Sequence, residues 1–237
     1  DSKELGEVNG LLLASGDEAR RALQESLMVQ KLGMRSARLL ARMGRASDSR
    51  FLLPMMFDSR LTEQERGEVG EMIQKLSRKV PTQQESASIM YALGTNYFRA
   101  KVPFLTDGNN NALIWMFREG SELPKFVTVT EEDASRYFAE KYSRYATCLD
   151  PTVAAYRQLW LVTFFDLKGA ELGNDNSIQI NAELLQKLKT GLSIADVESA
   201  LRLAMQQDHP IAARVAAELL GEALVLWRDD SGQAHAW

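Results

Sequence analysis

Along most of the chain apolar residues recur at the helical spacing of three and four, and strict alternation is confined to one stretch. In Leu32 to Met43, the residues Leu32, Leu39, Leu40 and Met43 share one side of a helical wheel, and Gly44 follows as a stop. "SDSRFLLPMMFDS" reads as a short apolar helix bent or interrupted at Pro54. "LTEQERGEVGEMIQKLSRKV" opens with Thr62 and, three residues on, Glu65, the reciprocal capping arrangement, and Pro81 closes it. A further helix is predicted over Gln83 to Leu93, closed by Gly94.

The least regular segment follows. Gly and Asn cluster at 107–111 as a turn signal, and the apolar stretches on either side of "REGSELP" fit a β-hairpin in which Val127 and Val129 alternate with Thr128 and Thr130. A short helix over "NALIWMF" fits as well, because a run of that length has no decisive period. Regular helices then resume over Glu131 to Cys148, Thr152 to Lys168, Asn181 to Lys189, Ser193 to Gln206 and Pro210 to Trp227. Thr130 before "EED" places acids in the positive first turn, and Ser193 with Asp196 is a second capping pair. Short connections make the last helices antiparallel neighbours.

This pattern predicts an all-α chain of α-solenoid-like stacked helix pairs with a small hairpin or irregular insert. Its divisions are an N-terminal helical region (1–103), the insert (104–130) and a C-terminal helical region (131–237). Two local patterns give the helices a family likeness. "DHPIAARVAAELLG" resembles the second helix of a HEAT repeat, in which an Asp caps the helix and a Leu-Gly pair ends it, at Asp208, Ala216, Ala217, Leu220 and Gly221, with Ala212 and Ala213 in place of the usual Val-Arg pair. "SARLLARMG" and "IMYALG" resemble its closing pattern. "AEKYSRYATCLDP" is similar to a tetratricopeptide repeat at Ala139, Ala146 and Pro151, with the large aromatic one position early at Tyr142. The resemblance, to irregular bacterial chains that mix the two repeat types, implies a scaffold or protein-interaction module. Physics gives the small residues a role of their own: stacked helix pairs bury their apolar faces against one another, and Ala lets the axes approach.

Composition narrows the function classes. With 45% hydrophobic and 25% charged residues, the 237-residue chain is an ordinary globular protein with enough length for a substantial core. Its longest apolar runs, Ala112 to Phe117 and Leu159 to Phe165, are core segments too short to span a bilayer. A net charge of −4 argues against a nucleic-acid partner, since phosphate neutralisation needs concentrated positive charge. The single cysteine, Cys148, leaves no internal disulfide and reads as an inert buried thiol. Opening at Asp1 without an initiator Met or leader is what a processed form or a piece of a longer chain would show.

Two groups are candidate partner-binding residues. Arg35, Arg38, Arg42 and Arg45 recur at three and four on one helix, a basic stripe fit for an acidic peptide, a phosphate group or an anionic membrane surface, although such stripes are usually solvated faces. Tyr156, Arg157 and Trp160 could line a peptide groove, since Tyr, Trp and Arg dominate binding hot spots. Core packing is the default for them and for Tyr137, Phe138, Tyr142, Tyr145, Phe164 and Phe165.

Metal and catalytic signals are weaker. "TDGNNNA" begins like a calcium loop at Asp107, Asn109 and Asn111, then fails with Ala112 at the glycine position and Arg118 at the bidentate-acid position. His209 and His235 lack ligand spacing and read as surface residues. No phosphate loop, nucleophile elbow or zinc motif is present, so neither a catalytic residue nor a cofactor is expected. The reading is a non-catalytic interaction module. Its rival is an enzyme or small-molecule-handling protein on the same frame, with a pocket near the insert.

Overall fold

The computed structural model of the chain describes residues 16–117, 123–172 and 193–231, with side chains of the last helix through Gly221. Among these residues the fold is mostly α-helical with one small antiparallel hairpin. The helices are α1 (Gly16–Ser26), α2 (Gly33–Met43), α3 (Ser49–Met56, entered by the 3-10 turn Ala46–Asp48), α4 (Glu63–Ser77), α5 (Gln83–Phe98), α6 (Glu131–Leu149), α7 (Ala154–Leu172), α8 (Ile194–Gln206) and α9 (Pro210–Ser231). Strands β1 (Ala112–Met116) and β2 (Lys125–Val129) pair in the register Ala112↔Val129 and Ile114↔Val127. The hairpin, not the short helix, is therefore what "NALIWMF" enters. Pairing gives the apolar run a partner, and its burial alternates, with Ala112 and Ile114 inward. The helix expected over Asn181 to Lys189 lies outside the described residues.

Chain contacts divide into two compact units: Asp1–Met90 with Pro103–Ala134, and Tyr91–Val102 with Ser135–Trp237. In the first, α1, α2, α3 and α4 pack together and α1 also meets β1. Leu39, Leu40, Leu52, Leu53, Met55, Val69 and Ile73 are buried there. Gly44 ends α2 in the left-handed conformation, φ 71°, as its position in the sequence implies. The Thr62–Glu65 capping box forms in full. Buried Asp48 accepts a bond from Gln24 Nε2 at 2.8 Å and faces Arg20 Nε at 3.7 Å.

In the second unit α7, α8 and α9 pack against one another around Leu161, Val162, Phe165, Ala200, Ala204, Ala212, Val215 and Ala216. Small residues set the approach. A Cβ at Gly169 would lie 2.5 Å from Ile211 Cγ2 and 2.9 Å from Val215 Cγ2, so α7 and α9 meet where α7 has no side chain.

Three helix ends differ from the sequence reading. Helix α5 runs through Gly94, which serves a close approach: a Cβ there would be 3.0 Å from Ser143 N. Helix α9 runs through Gly221, where a Cβ would meet nothing within 4 Å among the described residues. Asp208 does not cap α9. It takes φ 59° as the left-handed residue after α8, with His209 N bonding Ala204 O at 2.9 Å and Asp208 N bonding Met205 O at 3.4 Å, the paired bonds of a Schellman end. A short polar Asp tolerates that conformation, and Pro210 then starts α9 without needing an N–H partner.

Candidate functional site

The four arginines of the basic stripe all fall on or just after α2, in the first unit. Their geometry follows the helical spacing, but intramolecular acids meet Arg38 and Arg45. Exposed Arg38 forms a two-pronged bond with Glu68 of α4, Nε to Oε1 at 2.6 Å and Nη2 to Oε2 at 2.8 Å, which holds the Glu68 carboxyl below its ordinary range. Arg45 reaches Asp17 of α1 at 2.5 Å, and Asp17 also meets Arg20 at 3.2 Å. Arg35 is half-buried, and Arg42 is exposed. The stripe is thus less basic than its spacing implies.

The second group lies on α7, in the second unit. Tyr156, Arg157 and Trp160 are all half-buried, on the helix whose inner face carries Leu159, Leu161, Val162 and Phe165. Each is held by a neighbouring element. Tyr156 packs on Tyr91 of α5 with ring centroids 4.9 Å apart. Arg157 gives Nε and Nη2 to Asp196 Oδ1, both at 2.9 Å. The other oxygen of Asp196 accepts the Ser193 N–H at 3.1 Å and hydroxyl at 2.8 Å, completing the capping box of α8. Burial opposes ionisation of Asp196, but the Ser193 bonds and Arg157 outweigh it and hold the carboxyl below its ordinary range. Trp160 Nε1 donates to Glu140 Oε1 of α6 at 3.3 Å, an oxygen that also accepts Arg144 Nε at 2.9 Å. The three side chains form one braced surface strip.

A third cluster escaped the sequence reading. Asp166 of α7 is only 4% exposed, in the middle of the apolar run. Its Oδ2 faces His209 Nδ1 at 3.0 Å and Arg136 Nε of α6 at 3.4 Å. The His209 ring stacks on Phe98 at 3.8 Å, with 13° between planes. His209 is therefore an engaged, partly buried residue and not a surface one. The available signal was Asp166 itself, because a carboxylate inside "WLVTFFDLKG" must find partners when the helix packs. With the proton on Nδ1, the imidazole is fixed in one tautomer, an arrangement suited to orienting a base or to locking α6, α7 and the α8–α9 turn together.

Elsewhere the structure corrects or refines the candidates. Cys148 is exposed, not buried. The Asp107 carboxylate accepts the N–H groups of Asn111 at 2.9 Å and Asn109 at 2.8 Å and the Asn111 side-chain amide at 3.2 Å. Those bonds hold it below its ordinary range and make the loop an Asx turn. Among the described residues no group of three or more His, Cys, Asp or Glu gathers as a metal site. No described helix is long and apolar enough to cross a membrane. No protein-family model, curated protein or solved structure matches the chain.

Proposed function

We propose that this chain is a non-catalytic helical-repeat module, HEAT-like and tetratricopeptide-like in its units, that holds a protein or peptide partner within a larger protein or assembly. The observation that carries this reading is the strip Tyr156, Arg157 and Trp160. Tyr, Arg and Trp there are partly open to solvent yet braced by Tyr91, Asp196 and Glu140. Side chains ordered before binding lose little conformational entropy on binding, and these three types dominate interface energetics. The acidic net charge of −4 favours a protein over a nucleic acid as the partner. Affinity capture from the native source with the intact chain and with a Tyr156→Ala/Trp160→Ala variant tests the strip. A partner held by the intact chain should be lost with the variant while its helical circular dichroism is unchanged. Equal capture by both would remove the strip from the binding surface.

One observation favours the rival reading, a small-molecule-handling or catalytic role: the Asp166-oriented imidazole of His209. A ligand that raises the thermal stability of the intact chain and of Trp160→Ala, but not of His209→Gln, would support that role over the scaffold.

A further inference from the structure

The strip on α7 has a charge order of its own. Trp160 Nε1 and Arg144 Nε donate to the same Glu140 oxygen, which sets the Arg144 guanidinium of α6 beside the indole, and Arg157 stands one turn before Trp160 on α7. In both ion pairs the carboxylate lies beneath and the cation outside. The Arg144 side chain is 47% exposed over Glu140 at 13%, and Arg157 is 40% exposed over Asp196 at 16%. The inner carboxylates are engaged within the chain: Glu140 Oε1 takes two donors, and Asp196 takes Arg157 on one oxygen and Ser193 on the other. The cations are not used up. A guanidinium carries five N–H donors, and among the described residues Arg144 commits only Nε, and Arg157 only Nε and Nη2. Arg144 also lies over the Tyr145 ring, 5.5 Å from its centroid, so its head is in place before a partner arrives.

Resting on the reading of the strip as the binding surface, we infer that the segment it holds is acidic: side-chain carboxylates of an Asp- or Glu-bearing peptide take the outward donors of Arg144 and Arg157, and an apolar side chain of the same segment packs on Trp160. Charge order selects this partner. A carboxylate matches the planar fork of a guanidinium, whereas a basic or wholly apolar segment would cover those donors and leave them unmatched. Two cations, each partly balanced by its own acid, suit one or two carboxylates. The dense charge of a nucleic acid needs a concentrated positive surface, and this chain carries a net −4. Arg144, which the sequence reading did not single out, thereby joins Arg157 in setting specificity.

The test is selection of a random-peptide display library on the intact chain, discarding peptides that also bind a Tyr156→Ala/Trp160→Ala variant. The strip-dependent peptides should be rich in Asp and Glu and should bind more weakly as salt rises. Arg144→Gln and Arg157→Gln should each weaken them about tenfold, the loss of a charge-assisted bond, with Arg144→Lys recovering part of it. Circular dichroism checks the fold of every variant. Arg157 also braces the cap of α8, so if Arg157→Gln unfolds, Arg144→Gln decides. Strip-dependent peptides without acidic enrichment, or acidic ones that ignore the Gln substitutions, overturn the inference and leave the strip a binding surface. No strip-dependent peptide at all removes the strip and the inference together. Tighter binding of a random single-stranded DNA pool, lost with the same Gln variants, assigns the cations to phosphate and overturns the inference too.

Discussion

Gly169 and Gly221 look alike in the sequence, each a glycine inside a helix, yet their surroundings set opposite expectations. At Gly169 a methyl group would run into Ile211 and Val215. Both are β-branched and stiff in a helix, so neither can swing aside cheaply. Gly169→Ala should therefore lower stability by about 1 to 3 kcal/mol through overpacking. At Gly221 a methyl group meets nothing within 4 Å among the described residues. Gly221→Ala should raise stability by about 0.5 to 1 kcal/mol, the helix-propensity difference. Urea denaturation of the two variants beside the parent checks both signs in one experiment. Asp208 teaches the same lesson: an Asp before a helix reads as an N-cap, and only the backbone reveals that it ends the helix before.

At the scale of helices, the α9 stripe separates neighbours in sequence by the face they occupy. Ala216 is 0% exposed in the core with Ala212, Val215 and Leu219, whereas Ala217 is exposed. Ala216→Leu should cost about 1 to 3 kcal/mol, and Ala217→Leu should stay within about 0.5 kcal/mol of the parent in thermal unfolding. Leu219 is buried on the same face of α9 as Ala216. On α2, charge reversal should likewise divide. Arg42 is exposed, so Arg42→Glu should be nearly neutral, but Arg38→Glu sets a carboxylate against Glu68. Its cost should be at most about 1 kcal/mol, as exposed pairs are, and the double variant Arg38→Glu/Glu68→Arg should recover it. Equal stability of Arg38→Glu and the double variant would mean that the pair contributes nothing.

For the molecule as a whole, the carboxylates set the response to acid. Asp58, Glu65, Glu68, Glu85, Asp107 and Asp196 are all held below their ordinary range in the folded chain. The folded state then binds fewer protons than the unfolded state once pH falls near their unfolded values, about 4. Their stabilisation is present above that range and is lost as pH falls through the folded values. Asp48 acts in the opposite sense, because burial raises it. Among the described residues six carboxylates act in the first sense and one in the second, so the urea midpoint should fall between about pH 5 and pH 3. A flat or rising midpoint there would contradict it. Far-ultraviolet circular dichroism at neutral pH should be predominantly helical.

The residues alone determined the helical class, the hairpin as one of two options, the Gly44 stop and both capping boxes, because these depend on periodicity and on groups within four residues of one another. The candidate side chains were legible as types: Arg38 and Arg42 on one face of α2, and Tyr156, Arg157 and Trp160 on one stretch of α7. Their partners were not. That Arg38 meets Glu68, that Arg157 meets Asp196, and that Asp166 gathers His209 and Arg136 are contacts between residues 30 to 43 positions apart. The helix ends at Gly94, Asp208 and Gly221 and the exposure of Cys148 escaped for the same reason. Local chemistry permits more than one outcome at each, and the packing of distant elements selects among them.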